Sequence, residues 1–209
     1  MATNAGKLGS VYAKTAAAAT VMTDEATTEV TTTRFQITNA THRYIDPATA
    51  VTVKVDTVVQ TTGYIIEYAG GFIAFDSSQT GKTVTVTGKW WAMALVAQIY
   101  NWKFSGKMGK AECTPFGTTT GVHRVATVPD ISGSFEGYWL DDDAYRLGVS
   151  DVGALSGISL PVKLYTNASY HYEGYAILDL DVDCAADEVV KDSHSFEGDG
   201  DWYPRANDS

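Results

Sequence analysis

The feature that most constrains this chain is a two-residue rhythm of apolar and polar side chains. In Val51-Thr52-Val53-Lys54-Val55-Asp56, in Thr83-Val84-Thr85-Val86-Thr87 and in Leu178-Asp179-Leu180-Asp181-Val182-Asp183, every second residue is aliphatic. Successive side chains of an extended strand point to opposite faces, whereas a helix needs apolar residues three and four apart. Segments of this kind form half-buried strands with one dry face and one wet face. The stretch "GYIIEYAGGFIAF" reads as two further short strands around Gly70-Gly71, a turn that tolerates positive φ. The expectation is a mainly β protein. One segment departs from it: in "DDDAYRLGVSDVGAL", Asp141 to Asp143 suit an N-cap and first turn, which predicts one short helix at about residues 142–147, ending before Gly148.

Organisation follows from where that rhythm starts and stops. Residues 1–33 are rich in Ala and Thr without a sustained period and read as an N-terminal arm or lead-in, because β-branched Thr disfavours helix. Residues 34–90 read as a β-rich module or extended hairpin insertion, forming a small additional unit in the N-terminal half. Residues 91–205 form the main β core, and 206–209 a frayed tail. A chain of 209 residues is long enough to bury a core of this kind.

Charge narrows the function. The formal net charge of −10 argues against a duplex-DNA binder, which needs cationic phosphate contacts, and against an anionic membrane surface. No segment has the length and apolarity of a membrane span, and the first residues carry no signal-type apolar run. Cys113 and Cys184 lack metal or redox spacing and read as reduced, buried thiols.

The sharpest candidate constellation is Asp179, Asp181 and Asp183 in "ILDLDVDC". An EF-hand loop starting at Asp179 needs Gly at its sixth place and Glu at its twelfth, where this chain has Cys184 and Val190. Glycosidase carboxylates flank a substrate from separate elements, while strand alternation puts these three on one face, with neighbours about 6.7 Å apart. In water the repulsion between neighbours is only roughly 0.6 kcal/mol, and several-fold more without water. The stripe is therefore expected to face solvent, with Leu178, Leu180, Val182 and Cys184 toward the core.

Other motifs dissolve on inspection. "GSFEG" places Ser134 one position early for a nucleophile elbow, and His42, His123, His171 and His194 are scattered without metal-ligand spacing. "TGKT" at Thr80–Thr83 would place the first glycine of a phosphate-binding loop at Asp76, and a strand follows it. The sequons at Asn39 and Asn167 have no meaning without secretion. Catalytic residues, metal ligands and a cofactor are therefore not expected, nor is enzyme activity. Trp90, Trp91, Trp102, Trp139, Trp202 and the set Tyr170, Tyr172 and Tyr175 suit either a sugar-binding platform or core and interface packing.

The stretch "NWKFSGKMGKAECTPFGTTTGVHRVATVPDISGSFEGYWLDDD" resembles the middle of bacteriophage tail tube (major tail) proteins, with Trp102, Thr114, Phe116, Gly117, Gly133, Ser134, Gly137 and Trp139 at matching places. "PVKLYTNASYHYEGYAILDLDVDCAADEVVKDSHSFEGDG" resembles that family's ending. The resemblance spans roughly Trp90 to Trp202; "YIIEYAGGFIAF…VTVTGKW" resembles instead a small β module of several phage structural proteins.

The resemblance implies a tail-tube-type β-sandwich or barrel whose copies form hexameric rings that stack into a hollow cylinder. It implies a virion protein made in the bacterial host cytoplasm, with the tape measure protein and tail terminator and tip proteins as partners. DNA would pass without specific binding, and no membrane is involved. On that reading Asp179, Asp181 and Asp183 are expected to line the lumen, with the outer wall or a loop face as the alternative. A β-sandwich carbohydrate-binding, capsid-decoration or adhesion module is the alternative.

Overall fold

The computed structural model describes residues 10–14, 18–96, 99–112, 124–138, 157–167, 169–183 and 190–206. It is mainly β, with two antiparallel sheets among the described residues. The helix expected at about 142–147, both cysteines and Trp139 lie outside them.

Strand β1 (Val11–Lys14) opens the core sheet. The chain then builds a seven-stranded module in the order β5-β4-β8-β2-β3-β7-β6. Its strands are β2 (Thr20–Thr31), β3 (Arg34–Ile37), β4 (Thr52–Val55), β5 (Val58–Gln60), β6 (Tyr64–Glu67), β7 (Phe72–Phe75) and β8 (Val84–Trp90). Alternation does what it predicts here: Val53, Val55, Val84 and Val86 are buried, and Thr52, Lys54 and Thr85 face outward. Those valines share one core with Phe35, Ile73 and Phe75 from the other half of the sheet, so the sheet curls over itself about β2. Gly70 and Gly71, at φ +86° and +64°, turn β6 into β7 as expected. Asp56 and Thr57 both take positive φ in the two-residue link from β4 to β5, the combination a type I′ hairpin requires.

The core sheet runs β10-β11-β14-β13-β12-β1-β9, with β15 also paired to β13. Its later strands are β9 (Met93–Leu95), β10 (Ile99–Glu112), β11 (Arg124–Tyr138), β12 (Leu160–Tyr165), β13 (Tyr170–Asp183), β14 (Lys191–Gly198) and β15 (Tyr203–Ala206). Val11, Phe135, Leu160, Val162, Leu164, Leu178 and Phe196 form the buried core beneath it, bordered by Trp102, Phe104 and Trp202.

Within the segment read from sequence as a lead-in, the described residues include two paired strands. Val11–Lys14 pairs with β12 on one side and β9 on the other, and Thr20–Thr31 is bonded to both β3 and β8 at the centre of the module. In β2 only Met22 is buried, so its place comes from backbone pairing rather than from an apolar face. The pairs Tyr12↔Leu95, Ala13↔Ala94 and Lys14↔Met93 make β1 and β9 direct neighbours. The module is thus inserted between two adjacent strands of the core.

Gly133 marks where the core sheet is tightest. A Cβ there would meet Phe196 Cζ at 2.2 Å and the Lys103 carbonyl oxygen at 2.3 Å. The latter is backbone of the paired strand and cannot step aside. Gly133→Ala is expected to cost at least about 1–3 kcal/mol, read as a lowered urea midpoint. An unchanged midpoint would show that β10 and β11 do not pack as described.

Candidate functional site: a polar sheet face with two open edges

Strand alternation sorts β13 as expected. Leu178 is buried, whereas Ile177, Asp179, Asp181 and Asp183 are exposed on the opposite face. Pairing carries that face across three more strands. One row reads Asp179, Ser195, Ser134, Lys103, and the next Asp181, Ser193, Glu136, Asn101. Lys107 lies two residues further along the β10 side from Ser105 and is likewise exposed. The face thus has acids on β13 and lysines on β10, and between them serines flanked by Lys191 and Glu197 on β14 and by Asp130 and Glu136 on β11.

It is also concave. A shallow hollow of about 310 Å³ is lined from one margin to the other by Lys103, Lys107, Ser132, Ser134, Ser195 and Asp179. Beneath it His194 stacks on Phe135 with ring centres 4.8 Å apart, and its Nε2 lies 3.3 Å from Asp192 Oδ2. These groups are buried and support the floor of the face.

Both margins have open backbone edges among the described residues. β10 is paired only to β11. β13 has β12 on one side over His171–Ala176 only, while β14 covers its other side from Ala176 to Asp183. Ile177–Asp183 thus presents one free edge. Three antiparallel pairings separate β10 from β13, so the two free edges run in opposite directions. The β10–β11 hairpin also extends beyond the sheet, since β14 covers β11 only from Ser132 to Tyr138.

The described aromatic residues do not assemble into a platform. Tyr170 is exposed, Tyr172 stacks on Phe104 at 4.6 Å, and Tyr175 is buried, its hydroxyl donating to the Ile45 carbonyl at 2.5 Å. Trp202 stacks on Phe196 at 5.5 Å, and Trp91 is buried beneath the Lys14 ammonium at 4.3 Å. His42, one of the scattered histidines, stacks on Trp90 at 4.3 Å and lies 3.1 Å from Glu25.

A polar junction that the sequence did not reveal joins the module to the core. Glu173 on β13 accepts from the Tyr44 hydroxyl at 2.8 Å and from Arg205 Nε on β15. Arg205 also donates to Glu67 at 2.7 Å, and Arg34 reaches the same carboxylate at 2.5 Å. Burial alone pushes Glu173 up. The His171 ring nitrogen, the Arg205 charge and the Tyr44 hydroxyl together outweigh it and hold Glu173 below its ordinary value of 4.5. Nothing in the sequence links positions so far apart; only the paired strands bring them together.

No protein-family profile and no curated protein matches the chain. Among solved structures, it is similar to a chain from the tail of an empty gene transfer agent particle, obtained with helical refinement in C6 symmetry. The TM-score is 0.45 at 13% identity, covering 54% of this chain and 85% of that one. It is similar also to a chain from the virion of a native gene transfer agent particle, with TM-score 0.45 and 12% identity over 56% and 89% of the two chains.

The junction makes two predictions. A carboxyl depressed on folding adds stability above its unfolded pKa and loses it as pH falls through the folded value. Glu173→Gln should therefore flatten the fall in thermal midpoint below about pH 4.5, measured by circular dichroism from pH 7 to 3. Arg205→Ala strands the buried Glu173 charge and is expected to cost about 3–5 kcal/mol in urea unfolding at pH 7. Equal acid sensitivity in wild type and Glu173→Gln would refute the first expectation.

Proposed function

We propose that this protein is a phage-type tail tube subunit, a structural and non-catalytic virion component that assembles into rings and stacks them into a conduit for the genome. The observation that carries the reading is the concave polar face with two open edges of opposite direction. An edge of this length left bare is an aggregation hazard in a monomer. Head-to-tail pairing of one copy's β10 with the next copy's β13 keeps the antiparallel alternation going, and a heterologous contact of this kind closes into a ring when the rotation allows. Each backbone hydrogen bond so formed contributes on the order of 1 kcal/mol.

Other features agree with this reading. The sequence resemblance to tail tube proteins indicates six copies in a ring. On this reading the concave face turns inward as the lumen wall, with Asp179, Asp181 and Asp183 at the channel. With a subunit charge of −10, the wall would repel rather than hold DNA phosphates. The β10–β11 arm projects past the sheet and can reach an adjacent ring. The inserted module hangs from β1 and β9, at the opposite end of the sheet order from β10, and so belongs on the outside of the tube. The tape measure, terminator and tip proteins are the partners such a tube requires.

Electron microscopy and native mass spectrometry of the purified protein at rising concentration test this directly. Hexameric rings and hollow tubes of constant diameter are expected. A protein that remains monomeric at millimolar concentration, under all salt conditions, would overturn the proposal.

A further inference from the structure

Resting on the ring reading above, we infer that the seam between neighbouring copies is an electrostatic zipper. Lys103 and Lys107 of one copy pair with Asp183 and Asp179 of the next, and Ser105 donates to Asp181 between them.

Within one copy, the acid row on β13 and the lysine row on β10 are separated by three strand spacings, about 14 Å along the sheet. That exceeds the Debye length of about 8 Å at physiological salt, so the rows barely feel each other inside a subunit. Accordingly, no ion pair joins Asp179, Asp181 or Asp183 to a cation among the described residues, and none reaches Lys103 or Lys107. Lys107 faces Asp130 and Asp183 faces Lys191 across the strand pairings, whereas Lys103, Asp179 and Asp181 face serines.

Facing residues in an antiparallel pair share a face and count in opposite directions. The lysines are four residues apart and the outer aspartates are four residues apart, so placing Lys103 opposite Asp183 also brings Ser105 opposite Asp181 and Lys107 opposite Asp179. All six side chains already lie on the same polar face. Hydrogen-bonded and non-bonded pairs alternate from strand to strand across the sheet. Three pairings separate the margins, so both rows leave their outer edges in the same phase and the two can meet without a slip. The pairing recorded between β10 and β11 is regular from Asn101 to Met108, so no bulge interrupts this stretch.

The partner is thus a second copy of this chain, and the aspartates serve first to fix the seam. A one-residue slip would turn each row to the wrong face, which makes the charges a register lock as well as an attraction. Lumen negativity then comes mostly from unmatched acids on the same face, such as Glu136 and Glu197.

Two double variants test this, Lys103→Asp/Lys107→Asp and Asp179→Lys/Asp183→Lys, with ring and tube formation followed by sedimentation and electron microscopy. Each alone puts like charges across the seam and should raise the concentration needed for assembly at least about tenfold. Mixed in equal amounts, they should assemble again as alternating copies, which a six-membered ring accommodates. Rescue in the mixture cannot arise from misfolding of either variant. A third variant, Ser105→Cys/Asp181→Cys, should yield disulfide-linked oligomers under oxidation. The zipper is overturned if both double variants assemble like wild type, if the mixture fails to recover, or if the cysteine variant forms rings without cross-links. Absence of rings in the wild type would instead strike the tail tube reading itself.

Discussion

The core sheet depends on the backbone of one strand. β13 bonds to β12 over its first half, to β15 over its first turn of residues, and to β14 over its second half. Its side chains serve three regions at once: Leu178 and Ala176 anchor the core, Glu173 and Tyr175 hold the module, and the aspartates line the polar face. Because every second residue turns over, a single-residue slip would take Leu178 out of the core and put Asp179 into it. Desolvating those charges costs far more than the surface repulsion between them, so burial of Leu178 fixes where the aspartates lie.

How much of this was legible in the sequence depends on what each strand buries. Val53, Val55, Val84 and Val86 announce their strands because one face is dry, and Gly70-Gly71 announces its turn because few residues accept positive φ. β2 was missed for the complementary reason. Its Thr-rich stretch buries only Met22, and the bonds to β3 and β8 that place it are made by backbone atoms that every residue shares. β1 is too short at Val11–Lys14 for any period to show, and even its lysine is buried. The acid row was visible as a strand face, but the lysine row that answers it lies some seventy residues earlier in sequence, on the order of a whole small domain away. Only pairing puts them on one surface.

The junction and the polar face use charge in opposite ways. At the junction, Glu67 and Glu173 are removed from water and each is met by a guanidinium, with Tyr44 filling a remaining lone pair. Such a set is sensitive to the loss of any member, and it orients the module relative to the core more than it adds net stability. On the face, charges remain hydrated and widely spaced, cost little in the free subunit, and remain available to a partner. On the proposed ring reading, that division suits a subunit that is soluble before assembly and specific during it.

The insertion of the module has a consequence for how the chain folds. Val11 pairs with Leu164, a contact on the order of 150 residues in sequence, whereas the module closes through neighbouring hairpins such as β4–β5 and β6–β7. During synthesis the module can therefore mature early, while β1 waits for β12 to emerge. The face with its two free edges is completed only when β14 arrives between β11 and β13, close to the C-terminal end. Order of emergence from the ribosome thus leaves this face incomplete until β14 has been made.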